Sequence, residues 1–551
     1  MTYFIQVLLV AILYYLTDTF ASFGGMVFGR YTCQRPLVGG LLVGLIFGDL
    51  QKGLELGIAF QLAYMGAFAV GGAVTIDVGV ASYPIMALSI INGLDTGTAL
   101  ALAAPVSVLT ANLVHVMRAF NTFCTSIVHK GIEHTNYRTI FMGNVILPQL
   151  FLVAKNFFVV FILLYLGVDA VDGLLAVIPE NVLHALGLLG NTLPAVGMAM
   201  LLKFNISGNW MFIFFVLGFM MMSVMGMSFI AIGIVAAAIA FFYYLIEKND
   251  QPQVAGVLRL LTMMRSCNMS DQIIQETTPK HAEPLSKKEL NALFWRYQLQ
   301  YLYCCNLENW HGNCYAYDMI PLYKKYYDAE DQKQGMLRMI DFINTEQTTA
   351  SVLWGILVGM EEQKALGADV GDDMIRTVKS SLMGPLAGIG DSLIQATVLP
   401  LLTTIAISLT GTGPYSPLGV IAFIVATPIL LWVYARFLFN KGYELGKDAI
   451  TMLMGSAIEK IKVAVQLFGI VIIGALSASY VKLTTPLSFA ASADADPVVL
   501  QEVIDGVFPN ILSLLLVVGC WYLVSKKGVS VTKMIFGLMA AVLVLGLVGI
   551  L

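Results

Sequence analysis

The chain has 551 residues, 58% of them hydrophobic and only 12% charged, with a mean hydropathy of +0.79. A soluble domain carries about 25% charged residues, and no globular core could hide this much apolar side chain, so the solvent must be lipid. A net charge of −4 with no dense basic tract argues against a nucleic-acid partner.

Met1 to Leu16 is apolar but lacks a basic leader and a small-residue cleavage site, so it reads as a retained first helix. Residues 1–246 form a series of apolar segments, some too short for a plain span of ~20 residues. The run from Pro36 to Phe47 stops at Gly48-Asp49, and the run from Leu54 to Ile76 carries Gly57, Gly66, Gly71 and Gly72 and stops at Asp77. Such segments suit re-entrant hairpins or tightly packed helices, where small residues let backbones touch. Longer spans are expected near 96–117, 140–166, 185–203 and 209–246.

Residues 247–350 turn polar, and seven Lys and Arg between 248 and 296 flank the junction. The positive-inside rule places this loop in the cytoplasm. The stretch 251–285 reads as a linker. Ser286-Lys287-Lys288-Glu289 fits a capping box, so a helix should start there. Residues 290–345 read as amphipathic helices whose Tyr and Trp rings lie at the membrane face. Apolar spans return near 396–412, 418–439, 461–480, 508–524 and 531–551. The loop Ser525-Lys526-Lys527-Gly528 is expected to be cytoplasmic, which puts Leu551 on the far side.

The stretch from Ser381 to Ser392 departs most from a plain span: three glycines, Pro385 and Asp391 interrupt apolar residues. Glycine and proline there suggest irregular backbone, which lipid tolerates only inside protein or beside a wet cavity. A carboxylate at such a break is a candidate site, and broken segments point to a transporter's substrate. Gly48-Asp49 echoes Gly390-Asp391. Either aspartate could bind substrate, or cap the helix that follows it.

A glutamine in an apolar run needs a partner, and Gln61 has Tyr64 on its helical face. Thr75 and Asp77 end the same segment. Gln61, Tyr64, Thr75 and Asp77 could contribute hydrogen-bonding groups to a substrate site, or Gln61 could join two helices and Asp77 could cap one. Glu361 could face that site or pair with Lys364 one turn on. Lysines in apolar stretches, such as Lys155, are expected to pair with a carboxylate or to snorkel. Cys304, Cys305, His311 and Cys314 cluster, but without zinc-type spacing, so no metal is expected. His281 and His311 are the histidines of the polar connector, and no histidine lies in a glycine-rich phosphate loop. No cofactor and no catalytic or phosphorylated residue is expected on this chain.

Leu382-Met383-Gly384-Pro385-Leu386-Ala387-Gly388-Ile389-Gly390-Asp391 resembles the signature of enzyme IID of the mannose-type sugar phosphotransferase system. Phe342-Ile343-Asn344-Thr345, Gly359 to Gln363 and Met319 to Tyr323 resemble further segments of that subunit. Arg35 to Gly39, Gly44 to Asp49 and Leu193 to Met200 resemble the partner subunit, enzyme IIC. The resemblance implies a IIC–IID fusion: 1–250 a IIC-like module, and 286–551 a IID-like module whose membrane part is 351–551. It implies an all-α polytopic fold of two related helical modules, parallel or inverted, with broken or re-entrant segments. It implies inward movement of a hexose or amino-hexose in the bacterial inner membrane, phosphorylated by soluble IIA and IIB proteins, with a homotrimer of such chains in lipid. It also implies a substrate-facing place for Gln61. An ion-coupled secondary sugar transporter is the alternative, which uptake without a IIB protein would favour. A docking protein that has lost transport would lack sugar binding.

Overall fold

A computed structural model describes residues 3–21, 23–66, 76–169, 188–189, 191–206, 208–227, 229–249, 283–411, 413–448, 457–489, 498–529 and 531–551. Most of the expected linker, up to 282, and Thr75 lie outside the described residues. Among the described residues the fold is helical throughout, and the one sheet is a two-residue ladder of Ser488–Phe489 with Val498–Val499. Four helices among the described residues are long and apolar enough to cross a membrane: Thr96–Glu133, Tyr137–Tyr165, Leu393–Thr410 and Leu418–Gly446. A fifth candidate is the pair Leu500–Val507 and Ile511–Ser525, bent by 79°.

The first short segments pack as the sequence suggests. Helices Pro36–Phe47 and Leu50–Ala63 have 12 and 14 residues. At about 1.5 Å per residue neither reaches across ~30 Å of hydrocarbon. Gly48, at φ 79°, ends the first helix, and the Asp49 carboxylate accepts from the Lys52 N–H (2.9 Å) to cap the second. The two backbones touch: a Cβ on Gly40 would lie 2.3 Å from the Gly53 carbonyl oxygen. The capping box is formed, with Glu289 N–H to Ser286 Oγ at 3.3 Å and Ser286 N–H to Glu289 Oε2 at 2.8 Å. Hydrogen bonds from Ser286 and Lys325 hold the Glu289 carboxyl down at about 2.

Three expectations are corrected. The span expected over 209–246 is two helices, Phe212–Ser223 and Phe229–Asn249, joined at Gly226 (φ 63°). Trp210 stacks on Tyr243 (6.1 Å), so the chain doubles back. The stretch 381–392 is not irregular. Helix Asp372–Gly390 runs into a π-helical turn, Asp391–Val398, and on into helix Leu399–Thr410. Pro400 cannot donate to the Ala396 carbonyl, which instead accepts from Asn205 Nδ2 (2.8 Å). Asp391 therefore sits inside a helix and caps nothing, and Gly390 is right-handed where Gly48 is left-handed. The Gly-Asp echo is not structural.

Several rings of 290–345 lie in the core, while Phe342 is exposed. Tyr297, Tyr301, Tyr315 and Tyr323 are buried, and Tyr297 stacks on Trp354 at 5.2 Å. Burial is tolerable because the hydroxyls are paired: Tyr301 donates to the Thr345 carbonyl (2.8 Å), Tyr297 to that of Gln347 (3.1 Å) and Tyr323 to that of Gly335 (2.9 Å).

The described parts of 3–249 and 283–551 are not two separately packed bodies. One apolar core draws Val7, Leu37, Tyr83 and Phe215 together with Ile470 and Val517. The other draws Tyr31, Met117 and Ile140 together with Tyr297, Trp354 and Phe439. Polar bonds cross the same boundary, among them Asn121 Nδ2 to the Cys305 carbonyl (2.9 Å) and Asn313 Nδ2 to Thr125 Oγ1 (2.8 Å).

Candidate functional site

A cleft of ≈ 490 Å³, counted out to its open mouth, lies on this boundary. The first half contributes Phe20, Arg30 and Arg118, and the second Trp310, His311, Asn344, Thr345, Glu346, Asp391 and Gln395. Each is placed by identifiable chemistry. Arg30 belongs to the π-helical turn Gly29–Cys33 and Asp391 to the π-helical turn Asp391–Val398. Such turns re-aim side chains within a helix and recur at functional sites. Phe20 sits in a turn fastened from below. Asp18 accepts the Phe20 N–H (3.1 Å), and Gln149 Nε2 donates to the Phe20 carbonyl (2.7 Å). Asp18 is in turn held by Lys155 Nζ (3.2 Å) and Asn156 Nδ2 (3.0 Å), all buried. Lys155 thus has the carboxylate partner expected of it.

The opposite wall is the segment 342–349. The buried Glu346 carboxylate accepts from Tyr31 Oη (2.8 Å) and from the N–H groups of Thr348 (2.9 Å) and Thr349 (2.8 Å). These donors orient the loop across the boundary and hold Asn344 and Thr345 towards the cleft. The signature glycine explains itself here: a Cβ on Gly390 would lie 2.5 Å from Glu346 Cβ. Gly390→Ala should therefore displace the loop and lower the melting temperature of the purified protein. An unchanged melting temperature would refute this role.

The electrostatics are mixed. Arg30 lies within electrostatic reach of Asp391 and Arg118, and the Arg118 guanidinium is 4.6 Å from the Trp310 ring centroid. Gln395 Nε2 donates to Asp391 Oδ1 (2.6 Å). Burial and the Arg118 charge push His311 down to about 3, so its ring is neutral and can accept a hydrogen bond. Three buried polar atoms of the lining, His311 Nδ1, Thr345 Oγ1 and Gln395 Oε1, have no partner among the described residues. A buried polar atom without a partner costs about 1–3 kcal/mol, which water or a polar ligand can relieve. Carboxylate, amides, hydroxyl and neutral imidazole beside aromatic rings suit a polyol.

Of the residues singled out from the sequence, Asp391 lines this cleft. Gln61 is buried elsewhere, its Oε1 without a partner among the described residues, and Tyr64 packs edge-on to Phe60 at 6.3 Å. Asp49 caps its helix. Asp77 accepts from the Gly79 N–H (3.0 Å) and Val80 N–H (3.2 Å), a cap, and from Tyr14 Oη (2.8 Å). Glu361 neither lines the cleft nor pairs with Lys364: Arg338 grips it, and Lys364 pairs with Asp372 (3.1 Å). Sequence reasoning passed over Arg30, Arg118 and Glu346. The signal was present, since each is a charge in or beside an apolar run, but nothing local brings residues 30, 118 and 346 together.

Two family models cover the chain. One, described as the PTS system sorbose-specific IIC component, matches residues 4–242, and the other, the PTS system mannose/fructose/sorbose family IID component, matches 284–551. The sorbose-specific EIID component of Lacticaseibacillus casei is 32% identical over 241 residues, which is 42% of this chain and 83% of that protein. The mannose-specific EIID component of Escherichia coli (strain K12) is 27% identical over 259 residues, 46% of this chain and 89% of that protein. The mannose-specific EIIC component of the same strain is 27% identical over 234 residues, 42% and 86% respectively. A cryoEM structure of the mannose transporter ManYZ with microcin E492 covers 49% of this chain and 99% of its own at 26% identity and a TM-score of 0.29. The chain thus belongs to the mannose/fructose/sorbose family of the phosphotransferase system, as an integral inner-membrane permease with its IIC and IID components in one polypeptide, moving a sugar that is phosphorylated with soluble IIA and IIB partners.

Proposed function

We propose that the translocated sugar is a neutral hexose or amino-hexose, held in the cleft between the IIC and IID parts. The observation that carries this is the convergence of unpartnered buried polar atoms, His311 Nδ1, Thr345 Oγ1 and Gln395 Oε1, beside Asp391. In this reading Asp391 and Asn344 take sugar hydroxyls, and Trp310 and Phe20 cover the ring. Gln61 is then a packing amide. The donor phosphohistidine stays on the soluble partner, since His311 is buried with its ring 4.3 Å from that of Tyr301. The domain reading remains 1–250, a 251–285 linker and 286–551, and family resemblance extends it to a homotrimer in lipid.

The test is sugar binding by purified Asp391→Asn and Asn344→Ala. Losing a hydrogen bond to a charged group costs about 1.5–3 kcal/mol, so Asp391→Asn should weaken affinity about 10- to 150-fold. Asn344→Ala should weaken it less, and both should keep the parent melting temperature. Unchanged affinity in both variants would move the sugar out of this cleft.

A further inference from the structure

A second cavity, of ≈ 920 Å³ counted out to its open mouth, lies between Lys203, Ile206 and Asn209 on one side and Trp521, Ser525 and Lys526 on the other. Among the described residues its polar side chains are those of Lys203, Asn209, Trp521, Ser525 and Lys526, with no carboxylate. The cations make no ion pair and no hydrogen bond among the described residues, and the Trp521 indole N–H and Ser525 Oγ are buried without a partner. Every polar group here can donate, and two carry positive charge.

The position adds a second argument. Trp210 stacks on Tyr243 (6.1 Å) and Trp521 tilts against Phe212 (5.2 Å). Aromatic rings grouped this way mark the level of the lipid headgroups. Tyr243 belongs to the last turns of helix Phe229–Asn249, which precedes the polar connector in the sequence. That connector and the lysine-bearing loop 525–528 are both expected on the cytoplasmic side. Lys203 lies in the last turn of its helix, where a cation is favoured by the dipole. The dipole accounts for that one residue, but not for two lysines, an indole and a hydroxyl converging from both halves.

We propose that this cavity binds a phosphate ester, with the two lysines and the Ser525 and Trp521 donors around its oxygens. The headgroup of an anionic phospholipid on the cytoplasmic leaflet has this chemistry, and basic pockets between membrane helices take such groups. A soluble phosphate shares the same chemistry.

The experiment is native mass spectrometry of the full chain in detergent, titrated separately with phosphatidylglycerol, phosphatidylcholine and inorganic phosphate. The parent should retain phosphatidylglycerol over phosphatidylcholine, and Lys203→Gln with Lys526→Gln should weaken that retention about 10- to 30-fold. Trp521→Phe with Ser525→Ala, which keeps the packing, should weaken it by a smaller factor. Competition by millimolar inorganic phosphate would support the site and assign it to a soluble phosphate. Absence of competition, with the lipid preference intact, would support it and assign it to the headgroup. Equal retention of the two lipids, or the same retention by parent and double-lysine variant, would overturn the proposal.

Discussion

Glu361→Ala should destabilise the protein by about 3–5 kcal/mol, because it strands a buried guanidinium. Arg338 holds Glu361 in a two-bonded fork, Nε to Oε1 at 2.6 Å and Nη2 to Oε2 at 2.5 Å, and both side chains are almost wholly inaccessible. The Tyr323 hydroxyl lies 3.2 Å from the carboxylate, its one proton shared with the closer Gly335 carbonyl (2.9 Å), and the remaining Arg338 nitrogen reaches Asp372 (3.4 Å). The cluster ties helix Ala329–Met339 to helix Ser351–Ala365 and to the start of helix Asp372–Gly390. Lys379 reinforces the joint by donating to the carbonyls of Arg338 (3.0 Å) and Met339 (3.1 Å). The pair itself contributes less than its removal costs, since desolvation offsets much of the attraction. Arg338→Met combined with Glu361→Ala should therefore recover most of the loss. Thermal melts of the two single variants and the double decide it. A double variant no more stable than Glu361→Ala would mean that the stranded charge is not the cause.

The second large effect is pH-dependent. Asp318 lies in helix Gly312–Tyr326, fully buried, with neither carboxylate oxygen partnered among the described residues. Burial pushes its carboxyl up to about 7, and the charge of Arg296 opposes this only in part. Arg296 is engaged elsewhere, donating to the Tyr317 carbonyl (3.0 Å) with its guanidinium 4.7 Å from the Tyr317 ring centroid. Tyr303 and Cys314 face the same carboxyl as neutral groups. In the unfolded chain an aspartate titrates near 3.9. Below about pH 4 both states hold the proton and Asp318 contributes no difference. Between about 4 and 7 the unfolded state has released it and the folded state has not, so stability falls as pH rises. Above about 7 the penalty is complete, and about three pH units correspond to about 4 kcal/mol. Asp318→Asn should raise the melting temperature at pH 8 and flatten its fall between pH 5 and 8. Parallel curves for the two proteins would show that Asp318 is not the group responsible.

These residues mark where local reasoning stops. The capping box at Ser286, the cap at Asp49 and the glycine seam between helices Pro36–Phe47 and Leu50–Ala63 were readable, because each depends on residues a few positions apart. The break at Gly226 had a signal, one glycine in a methionine-rich run, but hydropathy carried a single span across it. The stretch 381–392 misled in a specific way. Gly390 is small because Glu346 packs against it, not because the backbone is irregular, while a Cβ on Gly384 would meet nothing within 4 Å. Glycine spacing looks the same in both cases, and only the neighbouring segment distinguishes them.

By itself the sequence determined the solvent, the helical class, the two-part composition and the family, because hydropathy and short motifs are properties of adjacent residues. The tertiary structure decided which charges meet. Asp18 with Lys155, Glu361 with Arg338, and Tyr31 with Glu346 are separated by 137, 23 and 315 positions. In a lipid-embedded core a charge must find a partner, but several carboxylates and cations satisfy that demand equally well on paper. Helix packing fixes which of them come within hydrogen-bonding distance, 3.2 Å for Asp18 and Lys155, and so which are left to line the cleft.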